Sequence, residues 1–384
     1  MVGRPDEPRP SAGGGCTIEG MTSLQEVRVD LDAYRRNLDT FLARVAPARV
    51  LAVLKADAYG HGAVTLGRVA DRTDVSYLGV VTLDEALRLR DAGITKPVLA
   101  WLHLPGVDFR DAARADITLG LSTAEQLEAA ADAGARRVHL VFDTGLGRNG
   151  ARPEQWPAFL ETAARLRDAG RLEIEGAMSH LSNTTPKDDT TQLRQFDAAL
   201  AAAARLGIEP PLRHIAATQV AWDRPEARYD MVRIGIGSFG LSPDARSSAD
   251  LGLAPVMRIA TRVANVKRVP AGTPVSYGYL WRAPRETTLA LVPFGYADGL
   301  PRPTEGGWML VGGRRCPLVG RVAMDQCVVD CGDAPVAIGD EVVVLGDPAR
   351  GEPGAEVWAE AAGTITYEIV TRIGGRPARV AVGG

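Results

Sequence analysis

The chain has 384 residues, of which 46% are hydrophobic and 24% are charged, and its formal net charge is −3. A chain of this length can form one large domain and a smaller one around a sizeable hydrophobic core. Its nearly balanced charge lacks the basic footprint of proteins that bind nucleic acid or anionic membranes, so these numbers favour chemistry on a small molecule.

Residues 1–22, MVGRPDEPRPSAGGGCTIEGMT, are rich in proline and glycine, and we predict that this leader is disordered. It has no hydrophobic segment typical of a signal peptide, and no apolar stretch of the chain reaches the roughly 18 to 20 residues that span a bilayer. Cys16, Cys316, Cys327 and Cys331 lack the spacing of a zinc site and are too few for a disulfide-stapled secreted domain. The sequence therefore predicts a cytoplasmic protein without a bound metal, a membrane partner or a nucleic-acid partner.

After the leader, EVRVDL (26–31) alternates apolar and polar residues like a strand, and an amphipathic helix is expected to follow it. Short runs rich in Val, Ile and Leu then recur eight times between alanine-rich helical stretches. The runs are residues 49–55, 77–82, 97–103, 117–122, 137–144, 172–180, 212–218 and 231–240. Alternating strands and helices predict a parallel sheet, and eight units in about 200 residues favour a (β/α)8 barrel over an open doubly wound sheet.

The composition changes near residue 250. From residue 256 onward, short strands are separated by Gly and Pro turns, with one helix predicted around 358–373. We therefore predict an α/β chain with a (β/α)8 barrel over residues 23–252 and a mainly β domain over residues 253–384. The first strand, near 26–31, could join the second domain instead.

Active sites of such barrels form at the carboxyl ends of the strands, so the residues that close each apolar run are candidates. They are Lys55 and Tyr59 after the first strand, Asp143 and Arg148 after the fifth, His180 after the sixth, Thr218 after the seventh, and Arg233, Gly235 and Gly237 around the eighth. A lysine at a barrel mouth is partly desolvated, which favours the neutral amine that forms Schiff bases. Position alone leaves open a lysine that only reaches to the barrel rim.

The segment GLGRNG (145–150) matches the dinucleotide-binding pattern G-x-G-x-x-G. That fingerprint opens the first βαβ unit and runs directly into a helix. Here it follows the fifth strand, and Pro153 precedes any helix, so a nicotinamide site is disfavoured.

Eight segments carry a family resemblance in one order along the chain. They are VLKADAYGHG, DTGLGRNG, RHIAAT, VRIGIGSFGL, VSYGY, FGYADGLPR, GRVAMDQ and ITYEIVTRIGGR. Over about residues 26–382, the chain resembles the alanine racemases, a family of fold-type III pyridoxal phosphate enzymes. The resemblance implies pyridoxal 5'-phosphate as cofactor, interconversion of L- and D-alanine for cell-wall supply, and a homodimer with active sites shared between its subunits.

The resemblance also implies catalytic roles. Lys55 resembles the lysine that holds the cofactor and acts as the base on the D-face, and Tyr277 resembles the opposite base, contributed by the partner subunit. Two bases on opposite faces explain racemisation better than one base that swivels. Arg233 is similar to the arginine that contacts the pyridine nitrogen, with His180 behind it. Because arginine keeps its proton, it would leave that nitrogen unprotonated and suppress transamination.

The remaining matched positions bind or admit ligands in the family. The phosphate-binding positions are Tyr59, Thr218, Gly235, Ile236 and Tyr367. Arg148 and the backbone N–H of Met324 match groups that bind the substrate carboxylate or a cofactor oxygen. The positions that line the entrance are Tyr296, Arg302, Arg321 and Asp325. Without the resemblance, His180 would be interpreted as a core histidine and Tyr277 as a strand aromatic; His61, His103, His139 and His214 are predicted to be structural.

Several positions depart from the family pattern. Val141 stands where the family commonly has a lysine, often carbamylated, and Ala217 and Thr218 stand where Asn and Ser are common; the Y-G-L block reads Phe239-Gly240-Leu241. These changes leave open a racemase for another amino acid in a specialised pathway. A fold-type III decarboxylase is disfavoured by the racemase-like YADG and MDQ blocks. A non-catalytic pyridoxal phosphate carrier is disfavoured because such carriers lack the β domain that holds Tyr277.

Overall fold

The computed structural model describes residues 23–244 and 246–384, so the predicted leader 1–22, with Cys16, lies outside the described residues. The described chain opens with strand β1 (Gln25–Asp30), followed directly by helix α1 (Leu31–Val45). Asp30 starts this helix, because its side chain accepts a hydrogen bond of 2.8 Å from the backbone N–H of Ala33.

Eight parallel strands form the first sheet. They are β2 Arg49–Val53, β3 Tyr77–Val80, β4 Val98–Ala100, β5 Thr118–Leu121, β6 Arg137–Val141, β7 Glu173–Met178, β8 Leu212–His214 and β9 Met231–Ile234. Consecutive strands pair from β2 to β8, and β9 pairs with β2 on the other side. An isolated parallel bridge between Ala217 and Arg233 nearly closes the gap between β8 and β9. The predicted (β/α)8 barrel is confirmed.

Helices follow the strands around the barrel. They are α2 Lys55–Tyr59, α3 Ala63–Ala70, α4 Leu83–Asp91, α5 Arg110–Arg114, α6 Ala124–Asp132, α7 Trp156–Asp168, α8 Pro186–Ala204 and α9 Thr218–Asp223. Side-chain hydrogen bonds cap the N-termini of several of these helices. At the start of α4, Thr82 forms a capping box with Glu85. The strands are rich in Val and Leu and almost wholly buried, as expected for a parallel sheet covered by helices.

Ten further strands and two helices complete the chain. The strands are β10 Met257–Arg262, β11 Asn265–Val269, β12 Pro274–Val275, β13 Trp281–Arg282, β14 Thr287–Val292, β15 Trp308–Val311, β16 Arg314–Val319, β17 Cys327–Gly332, β18 Glu341–Leu345 and β19 Ala378–Val382. A nine-stranded sheet has the order β11-β14-β17-β16-β15-β18-β10-β1-β19, and β12 pairs with β13. β1 lies antiparallel to β10 and parallel to β19, so the first strand is part of this second sheet.

The prediction of a single helix around residues 358–373 is wrong in detail. The structure has α10 (Ala355–Ala362) and α11 (Thr366–Thr371), separated by Gly363. Gly363 has a φ of +65° and caps α10, a left-handed conformation that glycine adopts at little cost. Buried residues of the barrel and of the second sheet form one continuous hydrophobic cluster. Within the described ranges, no helix is both long enough and apolar enough to cross a membrane.

Candidate active site

A cavity of about 330 Å³ opens at the carboxyl ends of the barrel strands. It brings together nine of the site residues predicted from the sequence: Lys55, Tyr59, Arg148, His180, Thr218, Arg233, Gly235, Ile236 and Tyr367. All of them come from the barrel except Tyr367, which lies in α11. The second part of the chain therefore forms one wall of the cavity through this helix.

Lys55 enters the cavity from an unusual turn of backbone. The next four residues, 56–59, all have φ between 52° and 54°, which makes a left-handed helical turn. Such a conformation costs about 1–2 kcal/mol per non-glycine residue, so it persists only where the surroundings fix it. Glu85 accepts a 2.7 Å hydrogen bond from the N–H of Ala56, and His61 Nδ1 lies 2.9 Å from the carbonyl oxygens of Ala58 and Tyr59.

The surroundings of Lys55 favour its neutral amine. Burial lowers the pKa of Lys55, and the positive charges of Arg148 and Arg233 lower it further, whereas the carboxylate of Glu85 acts in the opposite direction. A neutral amine is both a nucleophile and a base. Lys55 therefore has the chemistry expected of a lysine that bonds to an aldehyde.

Arg233 is buried in the cavity wall and held by carbonyl oxygens. Its Nη2 donates to Ser179 at 2.7 Å and Ile215 at 3.1 Å, and its Nη1 donates to His214 at 3.1 Å. Burial, with a contribution from Arg148, lowers the pKa of Arg233 to about 10, so the guanidinium stays charged at neutral pH.

His180 accepts a hydrogen bond from Arg233, whose Nη2 lies 2.9 Å from His180 Nδ1. Burial lowers the pKa of His180 to about 3, aided by the positive charges of Arg233, Arg148 and Lys55. The imidazole is therefore neutral at physiological pH. Its Nδ1 must be the acceptor, because arginine can only donate.

Small residues and hydroxyl groups line the wall where β9 ends. The N–H of Gly235 donates to Thr218 Oγ1 at 3.1 Å. A Cβ on Gly235 would overlap the hydroxyl of Tyr59, so glycine allows this close approach. Burial raises the pKa of Tyr59 and raises that of Tyr367 to about 12, with a smaller effect of Asp244 on the latter. Both phenols therefore remain protonated and can donate to an anion.

The cavity carries an excess of positive charge. Lys55, Arg148 and Arg233 line it, and among the described lining residues Asp143 is the only acid. Asp143 already accepts hydrogen bonds from two backbone N–H groups of the following loop, at 3.0 and 3.1 Å. Two arginines beside the Lys55 amine and a set of hydroxyl and N–H donors suit an occupant with more than one anionic group, such as a phosphate together with a carboxylate. The donor set therefore fits pyridoxal 5'-phosphate and an amino acid.

The departures from the family pattern lie at this cavity. Val141 and Ala217 both line it, and neither contributes a polar side-chain atom. Arg148 is exposed, and no side chain of the described residues forms a hydrogen bond or ion pair with it. The guanidinium of Arg148 is thus available to an anionic ligand.

Besides Gly237, six predicted site residues do not line this cavity in the single chain. They are Tyr277, Met324, Tyr296, Arg302, Arg321 and Asp325. Tyr277 is 65% exposed and Met324 is 53% exposed. Asp325 forms an ion pair of 2.6 Å with Arg376. The predicted grouping of Tyr277 with Lys55 is therefore not formed within one copy of the chain.

Hydrogen bonds to backbone carbonyl oxygens nevertheless connect the loops that carry these residues. Ser276 Oγ donates to the carbonyl oxygen of Arg321 at 2.6 Å, and the N–H of Tyr296 donates to Ala323 at 3.1 Å. The guanidinium of Arg321 lies against Gly278, the residue after Tyr277. Positive charge therefore lies beside the turn that presents the Tyr277 hydroxyl.

Several residues that line the cavity were not singled out from the sequence. They are Val53, Trp101, Phe142, Leu146, Asn149, Met178, Ser179, Asn183 and Gln219. Most of them follow or end a barrel strand, so the strand-end rule could have found them. Their residue types carry no distinctive chemistry that would have singled them out.

Comparison with known proteins agrees with the geometry. Residues 29–243 match the model of the alanine racemase N-terminal domain, and residues 256–381 match that of the C-terminal domain. The alanine racemase of Frankia casuarinae is 46% identical over 362 residues, covering 91% of this chain and 94% of that protein. The alanine racemase of Mycobacterium tuberculosis is 43% identical over 367 residues, covering 93% and 95%.

Solved structures show the same similarity. The crystal structure of alanine racemase from D-cycloserine producing Streptomyces lavendulae has a TM-score of 0.92 at 44% identity, covering 95% of this chain and 98% of that one. The alanine racemase from Streptomyces coelicolor A3(2) has a TM-score of 0.91 at 42% identity, covering 94% and 98%. The chain therefore belongs to the alanine racemase family.

Proposed function

We propose that this protein is a pyridoxal phosphate-dependent alanine racemase, an isomerase that interconverts L- and D-alanine with Lys55 and Tyr277 of the partner subunit as its two bases. The observation that carries the proposal is the cavity at the barrel mouth, where a desolvated lysine lies beside a buried arginine and a set of neutral donors. The two proposed domains are residues 23–252 and residues 253–384, with strand β1 belonging to the sheet of the second domain. We also propose that the enzyme is cytoplasmic and supplies D-alanine for the cell wall.

Different residues at the barrel mouth would bind different parts of the cofactor. The hydroxyls of Tyr59, Thr218 and Tyr367 and the N–H groups of Gly235 and Ile236 would hold the phosphate, and Lys55 would hold the aldehyde carbon. Arg233 would donate to the pyridine nitrogen, with His180 behind it. When bound, pyridoxal phosphate withdraws electrons from the substrate α-carbon and so makes the α-proton acidic.

Proton transfer then falls to two side chains on opposite faces of the substrate. Lys55 Nζ, whose pKa is lowered by burial, takes or returns the α-proton on the D-face. The Tyr277 hydroxyl does the same on the other face. Tyr277 is 65% exposed in one copy and does not line the cavity, so this role requires a second copy of the chain. A homodimer with shared active sites follows.

The substrate carboxylate has two candidate partners. Arg148 lines the cavity and forms no ion pair with a described residue, so its charge is free for an anion. The N–H of Met324 would come from the partner subunit together with Tyr277. Tyr296, Arg302, Arg321 and Asp325 would line the entrance of the shared site.

Racemisation of alanine in heavy water tests the proposal. The purified enzyme with L-alanine should lose optical rotation while the α-carbon takes up deuterium, and omission of the cofactor should abolish both changes. Deuterium uptake with retained configuration would contradict the two-base assignment. Release of carbon dioxide would instead indicate a decarboxylase, and the absence of any reaction would indicate a carrier.

A second candidate is a racemase of another amino acid. Val141 and Ala217 favour it, because both line the cavity where the family commonly carries polar side chains. A panel of L-amino acids separates the two candidates. If another amino acid turns over much faster than alanine, the second candidate replaces the first.

A further inference from the structure

A line of buried polar side chains runs from Arg233 through the interior of the barrel. Arg233 Nη1 lies 3.0 Å from His214 Nδ1, and His214 Nε2 lies 2.9 Å from His139 Nδ1. His139 Nε2 then faces Glu175 Oε2 at 3.6 Å. Both histidines are fully buried, and neither they nor Glu175 line the cavity. The line therefore lies beneath the site already described.

Arg233 sets the direction of hydrogen-bond donation along this line of side chains. Arginine can only donate, so His214 Nδ1 must accept and the His214 proton must sit on Nε2. His139 Nδ1 must then accept in turn, which leaves its own proton on Nε2, 3.6 Å from Glu175 Oε2, an electrostatic contact that is too long for a hydrogen bond. Burial lowers the pKa of both histidines, so each imidazole is neutral at physiological pH. Only this pair of neutral tautomers satisfies both the Arg233–His214 and the His214–His139 hydrogen bonds.

The barrel backbone is adapted to hold His139 in this position. The pairing of β6 with β7 shifts register between Val138 and His139, and His139 then pairs with Gly176. A Cβ on Gly176 would lie 2.5 Å from His139 Nδ1, so any other residue there would displace the ring. A local irregularity and a glycine thus make room for one imidazole.

Glu175 is the negative end of the line. Thr118 Oγ1 donates to Glu175 Oε2 at 3.5 Å, and Arg137 Nε lies 3.8 Å from the same oxygen. Arg233, at the other end, forms no ion pair with a carboxylate of the described residues and lies near the like charge of Arg148. A buried cation without a counter-ion is costly, and polarised neighbours reduce that cost.

We propose that His214, His139 and Glu175 are positioning residues that keep the Arg233 guanidinium aimed into the cavity, with Glu175 as its remote counter-charge. The proposal rests on the proposed function for its catalytic consequence. If the Arg233 guanidinium loses its orientation, the pyridine nitrogen would no longer be kept unprotonated. Alanine would then more often give its amino group to the cofactor, in exchange for the aldehyde oxygen, and leave as pyruvate.

The tautomers can be measured without any turnover. The holoenzyme labelled with 15N-histidine contains five histidines, and single substitutions assign their signals. Two-bond nitrogen–proton correlation at pH 8 should show His139 and His214 as neutral Nε2–H tautomers. An Nδ1–H tautomer or a protonated ring at either residue would overturn the proposal, whether or not the enzyme racemises alanine.

The catalytic consequence is measured as pyruvate formed per alanine racemised. Glu175→Gln keeps an acceptor for His139 but removes the charge, and His139→Phe breaks the line while keeping a ring. Each should raise the ratio by about threefold to tenfold, the range expected for coupling between residues that do not touch the ligand. Glu173→Gln is the matched control, because Glu173 lies on the same strand but is exposed and pairs with Arg136.

The pyruvate ratio distinguishes a positioning role of Glu175 from a merely structural one. If Glu175→Gln leaves the pyruvate ratio equal to that of Glu173→Gln, the proposal is wrong, even if both variants unfold at lower temperature. If His139→Phe fails to fold, Glu175→Gln alone decides the question. If the wild-type enzyme does not racemise alanine, the proposed function fails, and the tautomer measurement still decides whether the line exists.

Discussion

Lys55 Nζ lies 5.9 Å from the centre of the Tyr59 ring, and the left-handed turn between these residues directs both side chains into one cavity. The proposed covalent site and the proposed phosphate site therefore depend on four strained residues.

Gly60 closes the left-handed turn against α11. It has a φ of +81°, and a Cβ there would overlap the carbonyl oxygen of Val370. Gly60→Ala should lower the free energy of unfolding by about 2–4 kcal/mol and weaken cofactor binding, because α11 carries Tyr367. Gly93→Ala is the control: its φ is +79°, but nothing lies within 4 Å of the added Cβ. Urea unfolding should show that Gly93→Ala lowers the free energy of unfolding by only about 1 kcal/mol. Equal losses of stability in the two variants would contradict the explanation.

Thr218 should contribute through its hydroxyl rather than through its methyl group. Thr218→Ala removes the acceptor of the Gly235 N–H, whereas Thr218→Ser retains it. Loss of one hydrogen bond of about 1–1.5 kcal/mol should weaken cofactor binding about tenfold in the alanine variant. Titration of apoenzyme with pyridoxal phosphate measures the change. If serine weakens binding as much as alanine does, the hydroxyl is not the important group.

His180 makes folding stability depend on pH. Its folded pKa is about 3, whereas an unfolded histidine titrates near 6.5. Below pH 6.5 the unfolded chain therefore takes up a proton that the folded chain does not, so stability falls as the pH falls. For one group this amounts to about 2 kcal/mol between pH 7 and pH 5. In the apoenzyme, His180→Asn should remove that part of the slope; parallel curves for the two proteins would contradict the assignment.

Tyr277 should act only across a dimer. Tyr277→Phe should reduce racemisation by at least about 100-fold while the cofactor still binds, because the phenol is assigned a proton-transfer role. Lys55→Ala should be inactive as well. Refolding equal amounts of the two variants together should restore about a quarter of wild-type activity, since half of the dimers are mixed and each has one intact site. No restored activity would contradict shared active sites.

The barrel could be predicted from the sequence because its eight apolar runs and their helices recur regularly. For the same reason, the strand-end rule selected Lys55, His180, Thr218 and Arg233, all of which line the cavity. The left-handed turn could not be predicted, because alanine at positions 56 and 58 disfavours it, Asp57 favours it only as a single residue, and long-range contacts hold it in place.

Two further features depend on contacts between distant parts of the chain. His139 and His214 were expected to be structural, and their link to Arg233 depends on a strand register that no local pattern encodes. Sequence patterns also could not predict that Tyr277 lies away from the cavity within one copy of the chain. Its position relative to Lys55 depends on how two copies meet.

A covalent bond between Lys55 and the cofactor aldehyde is the central feature of the proposed function. The holoenzyme should be reduced with borohydride, digested and mapped by mass spectrometry. We expect a pyridoxyl phosphate group on the peptide that contains Lys55 and on no other lysine. A label on Lys96, Lys187 or Lys267, or no label at all, would contradict the account.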